Sequence, residues 1–111
     1  MSSYKQARNS EDMKRELSDI MRGLKDPRIT GLLSIVKLDL SGDYAHCKVY
    51  ISSMDGLAAA EGAVEGLQSA AGFIRREINA RMKLRRTPEF KFIADDGIAH
   101  SADIDKMLRD L

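Results

Sequence analysis

Several residue types are scarce in this chain of 111 residues, and each scarcity excludes a class of protein. The single cysteine, Cys47, cannot form a disulfide within the chain, which fits a reducing compartment. No apolar run approaches the roughly 20 residues that cross a membrane, and residues 1–5 lack the apolar stretch of a signal peptide. Tryptophan is absent and other aromatic residues are few, so aliphatic side chains and methionine must fill the core. We expect one cytoplasmic domain over residues 1–111.

Charge is unevenly distributed, although the net charge of the chain is only +1. Residues 72–92 contain seven basic and two acidic side chains, a net charge of +5, which leaves −4 for the rest. A nearly neutral body with one positive segment indicates a local anion-binding face, not indiscriminate binding to polyanions.

The N-terminal third has the pattern of an amphipathic helix. Residues 1–8 are polar and are expected to fray. Asn9 or Ser10 is predicted to cap the helix, and Asp26-Pro27 ends it, because proline disfavours helix in the preceding residue. The apolar stripe of this helix consists of Met13, Leu17, Ile20, Met21 and Leu24.

The next segment changes to the two-residue period of β-strands. The turn signal Ser41-Gly42-Asp43 separates two alternating runs, so a β-hairpin is predicted. The second strand contains no proline and could lie inside a sheet. The residues expected to face the core are Val36, Leu38 and Leu40 in the first strand, and Ala45, Cys47, Val49 and Ile51 in the second.

A long helical pattern follows from Leu57 to Lys83 and contains a weak joint at Ala70, Ala71 and Gly72. Glycine in a helix costs about 1 kcal/mol relative to alanine. The apolar stripe keeps its phase through the joint, so both halves should pack on the same face of a sheet. A third strand is predicted around Phe90, Phe92 and Ala94, and a short helix near Ser101. The predicted fold is an α+β sandwich in the order α-β-β-α-kink-α-β, with helices on one face of a three-stranded mixed sheet.

The candidate site is cationic. Six basic residues follow the joint, and they are Arg75, Arg76, Arg81, Lys83, Arg85 and Arg86. Only one acidic residue, Glu77, lies among them. We predict that they contact RNA phosphates; the alternative is a solvated helix surface without a ligand.

Other chemistry finds little support in the sequence. His46, His100 and Cys47 do not have the spacing of metal ligands, and Cys47 is expected in the core. Neither a nucleophile elbow nor a glycine-rich phosphate loop is present. We therefore expect no catalytic residues, metal or cofactor.

The assembled pattern resembles the bacterial ribosome-binding factor A family over about residues 8–111. The similarity rests on the order and spacing of several stretches, which are Leu24-Lys25-Asp26-Pro27-Arg28-Ile29, residues 36–45, Lys48-Val49-Tyr50, Leu67, Ala70-Ala71-Gly72-Phe73-Ile74-Arg75, residues 84–92 and Asp95. The resemblance implies a type II KH-like fold in which Ala70, Ala71 and Gly72 correspond to the family's kink. Many members carry a longer C-terminal extension. Because this sequence stops at Leu111, soon after the core domain, we expect the extension to be short or absent here.

The resemblance also implies a function. Members of the family bind the small (30S) ribosomal subunit and its 16S rRNA during late maturation, support processing of the rRNA 5′ end, and matter for growth in the cold. They are not enzymes. A monomer without a membrane or small-molecule partner is expected. Two alternatives remain open: a generic KH-like protein that binds RNA away from the ribosome, and a protein-interaction module that uses the sheet face or an edge strand.

Overall fold

The computed structural model describes residues 2–29 and 31–95, with side chains from residue 8 onward. The predicted turn at Asp96-Gly97 and the predicted helix near Ser101 lie outside these residues. The described elements follow the predicted order α-β-β-α-kink-α-β. They are α1 (Ser2–Gly23), β1 (Leu33–Leu40), β2 (His46–Ser53), α2 (Leu57–Ser69), α3 (Ala71–Met82) and β3 (Glu89–Ala94).

The three strands form one mixed sheet, as predicted, and β2, which the sequence indicated could lie inside a sheet, is its middle strand. The hairpin makes β1 antiparallel to β2. The helical crossover through α2 and α3 brings β3 back parallel to β2. Cys47, Val49 and Ile51 alternate inward along β2 and are fully buried, which confirms the predicted period. The central strand therefore supplies the middle of the core.

The helices pack on one face of this sheet, and the apolar stripes read from the sequence supply the contacts. Met13 and Leu17 of α1, Leu67 of α2, and Ile74 and Ile78 of α3 are all fully buried in a single cluster. The stripe of α2 continues in phase into α3, so both helices cover the same sheet face. Each such aliphatic side chain contributes roughly 1.5–3 kcal/mol by leaving water.

The predicted start of the first helix is wrong, because α1 begins at Ser2 and not near Asn9 or Ser10. The helix thus includes residues 2–8, and their fraying stays a prediction. The side chain of Asn9 does not cap a helix; its amide donates a hydrogen bond of 2.7 Å to the Tyr44 hydroxyl. This long-range contact gives the amide a partner that local sequence does not reveal.

The predicted inward position of Val36 is also wrong. The pairing of β1 with β2 shifts between Ile35 and Lys37, so Val36 is the extra residue of a β-bulge. Val36 is 48% exposed, whereas Ile35 is buried. Beyond the bulge Leu38 and Leu40 face the core as predicted. Because of this inserted residue, the odd-numbered Ile35 faces the core before the bulge, whereas the even-numbered Leu38 and Leu40 face it after the bulge.

Candidate nucleic-acid interface

The joint between α2 and α3 is a break of a single residue at Ala70. Ala70 has φ −93° and ψ 8°, and its N–H donates to the carbonyls of Gly66 and Leu67, each over 3.1 Å. Ala71 and Gly72 are the first residues of α3. The sequence placed the weakness at Gly72, but this glycine has no positive φ. The kink therefore does not depend on the freedom of glycine.

A side chain in the last turn of α2 contributes to this break. The hydroxyl of Ser69 donates a hydrogen bond of 3.1 Å to the carbonyl of Glu65, four residues earlier. Serine that bonds back in this way competes with the helical hydrogen bonds and often bends helices. Ser69 was the missed signal in the sequence, and it directly precedes the Ala70 break.

The kink leads into an open cleft of about 460 Å³ between α3 and the loop that follows it. The lining residues are Gly72, Arg75, Arg76 and Asn79 from α3, and Arg85, Arg86 and Thr87 from the loop. Four guanidinium groups thus surround one cleft, and none of the lining residues is acidic. Guanidinium groups match phosphate geometry and can bind it with two parallel hydrogen bonds.

The shape of the cleft is fixed by hydrogen bonds between α3 and the loop. Arg75 donates two bonds, of 3.2 and 3.0 Å, to the backbone carbonyl of Thr87. The buried Thr87 hydroxyl donates a bond of 2.8 Å to the side-chain oxygen of Asn79. Arg75 therefore has a structural task in addition to its charge.

The remaining arginines of the cleft point their charge into solvent. Arg76, Arg85 and Arg86 are exposed, and no ion pair joins them to a carboxylate among residues 8–29 and 31–95. The pKa of Asp43 is lowered by the N–H of Ala45, by the hydroxyl of Ser41 and, less strongly, by the charge of Arg86. These three arginines are thus the groups best able to meet an incoming anion.

Arg81 lies apart from the cleft and is tied to α1. Its guanidinium donates to Glu16 at 3.1 Å and to Asp19 at 2.8 Å. The hydrogen bond from Arg81 is the main cause that lowers the pKa of Asp19, and the reciprocal bonds raise the pKa of Arg81. The structure therefore shows Arg81 as a link between α1 and α3.

Lys83 does not line the cleft either. It is an exposed residue that ends α3 in the left-handed conformation, with φ 51°. Its N–H donates to the carbonyl of Asn79 over 3.0 Å, so its backbone closes the helix. Of the six predicted contact residues, the structure brings four together, and these are Arg75, Arg76, Arg85 and Arg86.

Groups suited to other chemistry are not brought together in the described part of the chain. Cys47 is buried, and desolvation raises the pKa of its thiol to about 12, which opposes formation of a nucleophilic thiolate. Over residues 8–29 and 31–95, no three His, Cys, Asp or Glu side chains converge as metal ligands. None of the helices described is long and apolar enough to cross a membrane.

The fold and the cleft together define a class, the KH-like α+β domains with a cationic surface beside a helix kink. Within this class the chain belongs to the ribosome-binding factor A family, whose family model matches residues 5–108. Ribosome-binding factor A of Clostridium tetani is 43% identical over 109 residues, which cover 97% of this chain and 90% of the relative. The resemblance noted from the sequence is thereby confirmed.

Solved structures of the family share the fold. The crystal structure of ribosome-binding factor A from Thermus thermophilus is 28% identical, with a TM-score of 0.71 over 79% of this chain and 92% of that chain. A homology model of the Thermus thermophilus protein, fitted into the cryo-EM map of a 30S–RbfA complex, is also 28% identical. It has a TM-score of 0.64 and covers 77% of this chain and 89% of that one.

Proposed function

We propose that this chain binds the small ribosomal subunit by contacting the backbone of its 16S rRNA with the cationic cleft. The observation that carries the proposal is the convergence of Arg75, Arg76, Arg85 and Arg86 on one cleft whose lining contains no carboxylate. Each neutralised phosphate would release counterions and strengthen binding. Membership of the ribosome-binding factor A family and the 30S complex of the Thermus relative support the subunit as the partner.

The proposed action is binding without catalysis, during late maturation of the subunit. The cleft is held in shape by Arg75 and Thr87, so it would fit one arrangement of RNA phosphates better than others. A binding protein can shift an equilibrium only by its different affinity for two states. Preference for an immature rRNA fold would favour 5′-end processing and assist assembly in the cold, and remodelling of that fold would release the protein. We place this action in the cytoplasm, with a monomer as the active form.

A charge-removal experiment with a matched control tests this proposal. Arg76→Gln/Arg85→Gln removes two charges from the cleft, and Lys14→Gln/Arg15→Gln removes two from the exposed side of α1, outside the cleft. The cleft variant should bind purified small subunits more weakly and show a flatter dependence of log K on log salt, by roughly one unit per lost phosphate contact. The α1 variant should bind like the wild type. Equal binding by all three folded proteins would contradict the proposal.

Sedimentation separates this function from the two alternatives. A protein that binds RNA away from the ribosome would sediment with deproteinised RNA as readily as with small subunits. A protein-interaction module would keep its affinity as salt rises, whereas phosphate binding weakens steeply. We expect co-sedimentation with small subunits that salt disrupts.

A further inference from the structure

Phe73 is the exposed phenylalanine of the described chain. It is 44% exposed, whereas Phe90 and Phe92 are 5% and 4% exposed and stack on each other in the core with ring centroids 6.4 Å apart. Burial of an aromatic ring is strongly favourable, so a ring left in water at the start of α3 forgoes that stabilisation. An exposed ring on a rigid helix is suited to a contact made only in a complex.

Phe73 lies at the border of the cationic cleft. Its neighbour Gly72 lines the cleft, and Arg76, which also lines it, is three residues further along α3. Residues three apart on a helix are surface neighbours. The ring of Phe73 and the guanidinium of Arg76 therefore share one exposed stretch of α3, so a ligand in the cleft could reach both.

On its other side Phe73 lines a second recess, between α1 and α3, of about 430 Å³. Ile20 and Gly23 form the apolar part of this recess, and the charged side chains are Asp19, Arg22, Glu77 and Arg81. Two cations and two anions leave the recess without net charge. Phosphate therefore gains nothing from entering it, in contrast to the neighbouring cleft.

A nucleobase fits the properties of this recess better than a phosphate does. It offers an uncharged planar face for the phenylalanine ring, and its edges carry both donors and acceptors. The arginines and carboxylates that line the recess are donors and acceptors of the matching kind, and in the free protein they pair with one another, as in the 2.8 Å contact between Arg81 and Asp19. Unpaired bases that stack on aromatic side chains are a common way for proteins to hold RNA, and any base has a face to stack.

We propose that Phe73 stacks on one unpaired base of the RNA whose phosphates lie along the cationic cleft. This inference rests on the proposed function and adds the kind of RNA element recognised, which is a non-helical nucleotide beside a phosphate track. Arg76 holds the backbone next to that nucleotide. A fully paired RNA helix offers the phosphates alone and binds more weakly.

Substitutions at Phe73 test the proposal with purified small subunits. Phe73→Leu keeps apolar bulk and removes the ring, Phe73→Ala removes both, and Phe73→Tyr and Phe73→Trp keep a ring. Stacking predicts that the leucine and alanine variants lose about tenfold or more in affinity, and that the tyrosine and tryptophan variants bind like the wild type. Leu57→Ala is the control, because Leu57 is 40% exposed at the far end of α2. Since Phe73 is on the surface, unfolding midpoints should stay close to wild type.

Other outcomes would overturn the proposal. If Phe73→Leu binds like the wild type while Phe73→Ala does not, the contact is apolar packing against a ribosomal protein. If all variants bind normally, or if the ring-containing variants lose as much as leucine, stacking is absent. In each case the cleft variant Arg76→Gln/Arg85→Gln can still lose affinity, so failure at Phe73 is distinguishable from failure of the proposed function.

Fluorescence gives a second measurement, because the chain contains no tryptophan of its own. Phe73→Trp therefore carries a single tryptophan at the site. Purified small subunits are expected to quench its emission, measured as the difference from the same mixture with the wild-type protein, since a stacked base quenches indole. A variant that binds small subunits without quenching would contradict base stacking at residue 73.

Discussion

The side-chain oxygen of Gln68 in α2 accepts a hydrogen bond of 3.0 Å from the backbone N–H of Phe92 in β3. The amide nitrogen of the same side chain donates to the carbonyl of Phe90 over 3.2 Å. A residue of a neighbouring parallel strand would make the same two bonds, opposite Lys91. The carboxamide thus occupies this stretch of the β3 edge, where another chain would otherwise pair.

Gln68→Ala is expected to destabilise the protein and to open the edge of β3. Two partly buried hydrogen bonds are lost, so the free energy of unfolding in denaturant should fall by about 1–2 kcal/mol. Self-association that increases with concentration should appear in sedimentation velocity. Gln68→Glu is the comparison, because it keeps an acceptor for Phe92 and loses the donor to Phe90. Unchanged stability of the alanine variant would show that the bonds have no net effect.

Thr87 should control the shape of the cationic cleft without carrying charge. Thr87→Val removes the hydroxyl that donates to Asn79 and leaves a polar group without its partner. The free energy of unfolding is expected to fall by about 1–2 kcal/mol. Affinity for small subunits should also fall, since Arg85 and Arg86 lie directly before this residue.

Thr87→Ser provides the control for that experiment, because it retains the hydroxyl. It should keep most of the stability and affinity, as judged by the same denaturation and co-sedimentation measurements. Normal binding by folded Thr87→Val would mean that the cleft does not need this hydrogen bond.

The ion pair of Arg81 with Asp19 should make stability depend on pH in the acidic range. The pKa of Asp19 in the folded protein lies below its ordinary value of 3.8, mainly because of the hydrogen bond from Arg81. The resulting stabilisation is present above the ordinary pKa and is lost as pH falls through the lowered one. Arg81→Gln should therefore lower the thermal midpoint at pH 7, and the difference from wild type should shrink toward pH 2.

Salt and binding measurements complete the test of Arg81. High salt should reduce the difference in midpoint, because exposed ion pairs are screened. Affinity for small subunits should fall far less than in the cleft variant Arg76→Gln/Arg85→Gln, since Arg81 lines the recess beside Phe73 but not the cleft. A large loss of affinity in a folded Arg81→Gln variant would instead indicate that Arg81 contacts RNA directly.

Local periodicity in the sequence was sufficient to predict the helices and strands, because the side chains that are buried recur every two residues in a strand and every three to four residues in a helix. Cys47, Val49 and Ile51 illustrate this, as do Ile74 and Ile78. The sequence could not show the bulge at Val36, which depends on pairing with another strand.

The site was predictable only as a charged segment. The sequence places all six cations after the kink, but it does not show which of them have partners elsewhere in the fold. Arg81 meets carboxylates of α1 that are 62 and 65 residues away in the chain. Arg75 meets the loop after α3. These contacts distinguish the cations that have a structural partner from those that are exposed. They cannot be predicted from the local sequence pattern, because the partners lie on other elements of the fold.

Gly72 should matter for access to the cleft and not for the kink. Alanine at this position would place its Cβ 3.9 Å from the Arg76 guanidinium, an ordinary contact. Gly72→Ala should therefore keep the fold, raise the free energy of unfolding by at most about 1 kcal/mol, and bind small subunits normally. Gly72→Leu adds a side chain within the cleft lining and should weaken binding with no change in charge. Ala80→Leu is the control, because Ala80 is exposed on α3 outside the cleft. Denaturation and co-sedimentation of the three variants check these predictions. Unfolding of Gly72→Ala would mean that the kink requires glycine. Wild-type binding by Gly72→Leu would mean that the cleft is not the RNA site.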